Sequence, residues 1–305
     1  MAIIATGSRH DLAYIAEVTY GTTPGTPTLQ KLRHTGTTLG LSKDSIESEE
    51  LREDRHIAHY RHGNKSVGGD VNFEMSYGTY DDFLEAVMCG TWTTNVLKAG
   101  TTSRSFTIER YHADVAEYIR STGCSVNTFS LSVAPNSMVT GSFGILGQNT
   151  TITASALASS TYTAESTTAP FDSFTGAINI DDQSSAIVTA LELNVTNGME
   201  PQYVVGSSTI IQPALAKSMV TGSVTYFLLN SAEIDKFAAE TPVSLDFKLQ
   251  DAAGKNYIFD MPNCKYTTGN PEVTAPGAVT VTMDFIALYD SASGSNLTIT
   301  RDPNS

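Results

Sequence analysis

The stretch "VGGDVNFEMSYGTYDDFLEAVMCG" (67–90) holds two elements in succession. Val71, Phe73, Met75 and Tyr77 fall on alternate positions, so one face of an extended chain is apolar. Past Gly78 the period changes. In "YDDFLEAVM" (80–88), Phe83, Leu84 and Val87 recur at helical spacing, and Asp81 and Asp82 occupy the first turn, where helix N-termini favour negative charge. Gly90 supplies a stop. A strand therefore runs into a short helix. The same succession returns later: "SMVTGSVTYFLL" (218–229) reads as a strand and "SAEIDKFAAE" (231–240) as a short helix with Ser231 at its N-cap.

Each strand–helix pair is followed by three strands. In the first half these are "SFTIERY" (105–111), two segments within "VAEYIRSTGCSVNTFSLSV" (115–133), and "SMVTGSFGIL" (137–146). In the second they are "VSLDFKL" (243–249), "KNYIFDMPNCKYT" (255–267) and "AVTVTMDFIAL" (278–288). A strand also precedes each set, at 32–42 and 186–198. Aligned, Gly69, Val71, Phe73 and Met75 fall on Gly222, Val224, Tyr226 and Leu228, and Phe83 falls on Phe237. "EYIRSTGC" ending at Cys124 matches "NYIFDMPNC" ending at Cys264, and Val139, Phe143 and Ile145 match Val279, Met283 and Phe285. The pattern is an ordered internal duplication; chance similarity between β-rich segments is the competing explanation. The hexapeptide "SMVTGS" occurs at 137–142 and again at 218–223, at places that are not equivalent. We read it as strand composition that happens to recur.

The expected organisation is an N-terminal arm (1–30), a first β unit (31–147), a Ser/Thr-rich linker (148–185), a second β unit (186–290) and a C-terminal tail (291–305). The expected fold class is mainly β, in two tandem β-rich domains, each carrying one short α-helix. Length permits two cores. Residues 1–120 carry 12 Lys+Arg against 16 Asp+Glu, and residues 121–305 carry 6 against 16, so the net charge of −14 is concentrated late in the chain. Such a balance argues against a basic nucleic-acid-binding groove. The three cysteines are widely spaced and suggest buried free thiols rather than a disulfide or zinc framework. No signal peptide or membrane span is read in the sequence, so synthesis in a cytoplasm is expected.

Signals for chemistry are sparse. No G-x-S-x-G, P-loop or H-E-x-x-H motif occurs. His56, His59 and His62 stand three apart, which on a helix could seat a metal; the alternative is a polar loop rich in histidine and arginine. Asp81–Asp82 reads as helix N-terminal acids and Asp181–Asp182 as a turn. No cofactor or catalytic residue is expected. The distinctive feature is the segment 43–66, "KDSIESEELREDRHIAHYRHGNKS", read as a long charged loop. It mixes Glu47, Glu49, Glu50, Glu53 and Asp54 with Arg52, Arg55, His56, His59 and Arg61, a composition suited to contact with a charged partner.

The run "DLAYIAEVTYGTTPGTPTLQKLRHTG" (11–36) with "LGLSKDSIESEELREDRHIAHYRHGNKSVGGDVNFEMSYGTYDDFLEAVMCGTW" (39–92) resembles the major tail tube proteins of long-tailed, non-contractile bacteriophages. The resemblance continues weakly through "SFTIERY" and "MVTGSFG" to the C-terminus. It implies a structural virion protein without catalysis, built as two tandem β-sandwich or open-barrel domains, each with one flanking short α-helix. Subunits of that family join lumen strands into one barrel, rings stack into a tube, and DNA passes through without specific binding. The segment 43–66 would contact the next ring. Tape-measure, terminator and tail-tip proteins would be the other partners, and no membrane is involved. Two units per chain imply a ring of three chains with pseudo-sixfold symmetry, the alternative being six chains. A tail-tip, decoration or receptor-binding module is the competing function; it should show aromatic-rich loops, and Trp92 is the lone tryptophan.

Overall fold

The computed structural model describes residues 4–181, 183–184, 188–271, 273 and 276–302. Asp182, the start of the strand expected from 186, and the last three residues lie outside them. Strands β1 (His10–Ala16), β2 (Thr28–Lys31), β3 (Gly36–Thr37), β4 (Gly40–Glu47) and β5 (Tyr60–Glu74) precede helix α1 (Asp81–Met88). Then come β6 (Val96–Lys98), β7 (Phe106–His112), β8 (Glu117–Val133), β9 (Thr140–Gly147), β10 (Asn149–Thr153) and β11 (Thr161–Thr163). Strands β12 (Ala177–Ile180), β13 (Gln183–Ser184), β14 (Val188–Thr196) and β15 (Met219–Phe227) lead to α2 (Ala232–Ala238). The chain continues through β16 (Val243–Gln250), β17 (Asn256–Tyr266), β18 (Thr280–Ala287) and β19 (Thr298–Asp302).

Around each helix the strands pair in the same order. In the first half β5 pairs β9, β9 pairs β8 and β8 pairs β7; in the second β15 pairs β18, β18 pairs β17 and β17 pairs β16. The register repeats as well. Val71 faces Phe143 as Val224 faces Met283, and Val126 faces Ile145 as Tyr266 faces Phe285. Even the irregularities repeat. Phe106 faces Cys124 across a register shift, and Val243 faces Cys264 across another. Bulges of this kind bend a strand and re-aim its pairing, and they arise from local sequence, so shared placement of one is hard to reach by composition alone.

The two sets are fused. The second part of β8 pairs with β14, which pairs with β15, so one antiparallel run passes from β4 through β5, β9, β8, β14, β15 and β18 to β17. The first part of β8 turns away into another sheet, between β7 and β10. Under both lies one apolar core, in which Phe73, Phe129, Phe143, Phe259 and Phe285 are buried.

Four readings change. The residues expected as an N-terminal arm contain β1, which sits between β2 and β7 with Leu12 and Tyr14 buried. The C-terminal tail contains β19, paired with β6 and β17, its Ile299 buried. Within 115–133, Glu117–Val133 form one long strand rather than two segments. The Ser/Thr segment from 148 is fastened to the first half by β10 on β8, by β11 on β2, and by Phe171, which is fully buried. Tyr162 of β11 donates to Glu109 at 2.5 Å, and Glu109 is itself held by Arg120 at 2.6 Å. A buried carboxylate needs such partners.

The recurring hexapeptide has a packing reason. Gly141 of β9 lies opposite Phe73, and Gly222 of β15 lies opposite Phe285. A Cβ at Gly141 would stand 2.3 Å from the Ser130 carbonyl oxygen and 2.6 Å from the Phe73 ring. At Gly222 it would stand 2.2 Å from the Glu192 carbonyl oxygen and 2.6 Å from the Phe285 ring. In each copy the valine two residues earlier, Val139 or Val220, is buried. Each "VTG" thus packs a valine into the core and lays an aromatic ring across a glycine.

Candidate assembly surfaces

The segment 43–66, expected as a loop, is a β-hairpin arm. Ser42 faces Ser66, Lys43 faces Lys65, Ile46 faces Arg61 and Glu47 faces Tyr60, and a Ser48 N–H to His59 carbonyl bond of 3.0 Å extends the ladder. Only residues 48–59 remain as a tip. Alternation did not reveal these strands because most of the arm faces solvent on both sides, so no apolar face was selected.

Glu47 ends β4, Arg61 lies near the start of β5, and Glu49, Glu50, Arg52, Glu53, Asp54, Arg55, His56 and His59 occupy the tip. The Arg52 guanidinium grips Asp54 through two bonds of 2.7 and 3.0 Å, and this holds the Asp54 carboxyl below its ordinary range. Among the described residues, Glu47, Glu49, Glu50, Glu53, Arg55 and Arg61 form no ion pair within the chain. Leu51 is fully exposed and Ile57 64 % exposed beside them. The arm therefore offers free charges of both signs and apolar side chains. His62 lies on β5 and His56 and His59 lie in the tip, so the helical spacing considered for a metal is not formed.

A second surface is the outer face of the fused sheet. Its core side carries Val71, Phe73, Phe143, Leu193, Val224 and Phe285; the opposite side carries the residues between them. There Asn72 faces Ser142, Ser142 faces Ser130, Ser130 faces Asn194, and Asn194 faces Thr221. Ser130 and Ser142 share a hydrogen bond of 2.8 Å, as do Thr225 and Thr282. Asp70, Glu74, Glu192 and Asp284 lie on this side; among its described positions Lys265 is the cation. The face is hydroxyl-rich and net acidic. Its signal was in the sequence, as the polar partner of each apolar alternation, but which polar residues would join into one surface depended on strand order.

A latch ties the halves behind the sheet. Asp81 at the start of α1 accepts from Tyr257 of β17 and from Arg301 of β19, and Arg301 stacks 4.5 Å over the Trp92 ring. Burial pushes the Asp81 carboxyl up against the pull of both partners. Tyr14 of β1 donates to the neighbouring Asp82 at 2.9 Å. The acids expected at the helix N-terminus are thus also tertiary anchors.

An acidic hydroxyl-lined sheet, a charged arm and a duplicated strand order suit a self-assembling conduit, and comparison with known families agrees. A model of the phage tail tube protein family matches residues 7–287. The chain belongs to the phage tail tube protein family. It is a structural component of the virion tail that assembles with itself into a tube. The match spans both halves of this tail tube subunit, arm included. No curated protein matches the chain.

Proposed function

We propose that three copies of this chain close one ring, that rings stack through the 43–66 arm, and that the acidic hydroxyl-lined sheet faces the bore. The observation carrying this is the fused sheet, in which two units with one strand order and one register lie side by side. Counted from β4 to β8 and from β14 to β17, each unit offers four strands to that sheet. Six such shares make a closed barrel of roughly 24 strands, and at about 4.8 Å per strand its backbone diameter is at least about 37 Å. That passes duplex DNA with room for side chains. Three shares would give about 18 Å, too narrow once side chains point inward.

The charge supports the same reading. Asp70, Glu74, Glu192 and Asp284 repel phosphates, and the hydroxyls around them offer weak, sequence-blind contacts. DNA then slides during ejection instead of sticking. The role is structural and non-catalytic, in a tail of the long, non-contractile type, with tape-measure, terminator and tail-tip proteins at its ends. Electron microscopy of the purified chain tests this. Hollow tubes whose rings hold three chains, by mass or image symmetry, are expected. Rings of six chains would refute the stoichiometry, and failure to polymerise under any condition would refute the whole reading.

A further inference from the structure

The chain contains a worked example of how one unit joins the next, and the geometry points to the residues by which a second copy repeats that joint. This inference rests on the ring reading above and specifies its contact. Inside the chain the joint is the antiparallel pairing of β8 with β14: Thr128 faces Thr196, Phe129 faces Val195, Ser130 faces Asn194 and Leu131 faces Leu193. Both strands have counterparts in the opposite unit.

The counterpart of β14 is the edge at 39–42. Thr196 faces Met219 and Leu193 faces Gly222 in the second unit; Ser42 faces Ser66 in the first, and Gly69 is the counterpart of Gly222. On that register Leu193, Asn194, Val195 and Thr196 correspond to Leu39, Gly40, Leu41 and Ser42. The counterpart of β8 beyond its bulge is 268–271. In the first unit pairing skips Asn127 and resumes with Thr128 opposite Gly144. In the second, Thr267 donates to the Asp284 carbonyl, and the Thr268 hydroxyl then accepts from the Asp284 N–H at 2.9 Å. Thr128, Phe129, Ser130 and Leu131 thus correspond to Thr268, Gly269, Asn270 and Pro271.

Both counterparts are open. Among the described residues, β4 pairs with β5 and with no strand on its other edge. Strand β17 stops at Tyr266, whereas β8 runs on to Val133 between β9 and β14. Among the described residues no strand pairs with 268–271 on the side that β14 occupies against β8. The surroundings agree. Leu41 is 38 % exposed where its counterpart Val195 is buried, and α2 has no buried residue where α1 buries Phe83, Leu84 and Val87. A second copy of the chain fits this edge because its partner strand has already been shaped, once, within the molecule.

The joint is therefore residues 39–42 of one chain antiparallel to 268–271 of the next, with Ser42 opposite Thr268 and Gly40 opposite Asn270. Pro271 has no N–H, so it accepts from Leu39, whose N–H turns to the Thr37 hydroxyl at 3.2 Å in the single chain, without donating in return. One ladder bond is missing relative to the internal joint, and an edge carrying proline is also harder to pair out of register.

Paired cysteines test the register. Directly opposed residues lie about 4.5–5.5 Å apart and diagonal ones about 7–8 Å, and a disulfide cannot bridge Cα atoms beyond about 7 Å. The variants are S42C/T268C and G40C/N270C, with the crossed pairs S42C/N270C and G40C/T268C as controls displaced by two residues. Native cysteines do not interfere, since Cys89, Cys124 and Cys264 are buried. Each variant is assembled under reducing conditions, checked for tubes by electron microscopy, oxidised, and run on a non-reducing denaturing gel. Both direct pairs are expected to convert chains into closed covalent rings of three, and both crossed pairs to leave single chains. Tubes that crosslink through the crossed pairs, or through neither set, overturn the inference while leaving the tail tube reading intact. Absence of tubes from the unmodified chain overturns both.

Discussion

Replacing Gly222 by alanine places a methyl group 2.2 Å from the Glu192 carbonyl oxygen and 2.6 Å from the Phe285 ring. Comfortable contacts at both atoms are more than 3 Å, so about 1 Å must be found. The carbonyl belongs to β14, which is paired on both sides, with β8 and β15, and it cannot retreat without opening a ladder. The ring is wholly buried. Overpacking of this kind costs about 1–3 kcal/mol. Alanine in a strand recovers about 0.5–1 kcal/mol of the backbone entropy that glycine loses on folding. The steric cost wins, and G222A should be less stable by about 0.5–2 kcal/mol. G141A should behave alike, its methyl group meeting the Ser130 carbonyl and the Phe73 ring. Gly68 provides the contrast, because a Cβ there meets nothing within 4 Å and its φ is not in the left-handed region. G68A should therefore be neutral or more stable by up to about 1 kcal/mol. Urea unfolding of the unassembled chain, followed by tryptophan fluorescence and circular dichroism, gives the three midpoints on a common slope. A G222A midpoint at or above that of the unmodified chain refutes the close-approach argument. So does a G68A midpoint lowered as far as G222A, since the loss would then owe nothing to sterics.

Three further outcomes follow from the surfaces and the core. The triple variant R52E/R55E/R61E should keep its melting temperature within the small range of exposed substitutions while losing tube formation, checked by calorimetry and electron microscopy together; full-length tubes would remove the arm from ring stacking. His10 lies against His34, His112 and Arg110, and burial, then those three neighbours, hold its pKa down at about 4 against the opposing pull of Asp11. Above pH 6.5 this has no effect on stability. Between 6.5 and about 4 the unfolded chain takes up a proton that the native site refuses, so stability falls with pH, and His10→Gln should lose less melting temperature than the unmodified chain between pH 7 and 4.5. Finally, burial raises all three thiols, Cys264 to about 12, so a thiol-specific dye at pH 8 should label none in the native chain and three in urea. Rapid native labelling would show that the bulges at Cys124 and Cys264 open to solvent.

Where one face of an element is buried and the other wet, the sequence carried its position. The helical spacing of Phe83, Leu84 and Val87 gave α1 within a residue; the alternation at Val71 and Phe73 gave the inner part of a strand expected at 67–77 and observed at Tyr60–Glu74, and the residue alignment between halves matches the register of pairing. Elements lacking that contrast were missed. In β1 the apolar pattern is short and lies beside a Thr/Pro-rich run; in β19 it amounts to Ile299, with Leu297 just before the strand; in the arm both faces are wet. The anchoring of the Ser/Thr segment rests on Tyr162 and Phe171, two side chains among many hydroxyls, and their partners are far away in the chain. The charged tip was visible as composition, whereas the sheet face was not, because joining Asn72, Ser142, Ser130 and Asn194 into a row needs strand order.

The internal pairing of β8 with β14 has a consequence for how a tube comes apart. That seam is tethered by the chain itself, and tethering of this kind supplies an effective concentration on the order of millimolar whatever the dilution. The seam between chains has no tether and must be renewed from solution, at the cost of the freedom two free bodies lose on docking. Around the proposed ring of three chains the seams then alternate, one permanent and one conditional. Dilution or mild denaturant should open only the conditional ones, and the smallest piece released is a whole pair of units, its polar face already formed.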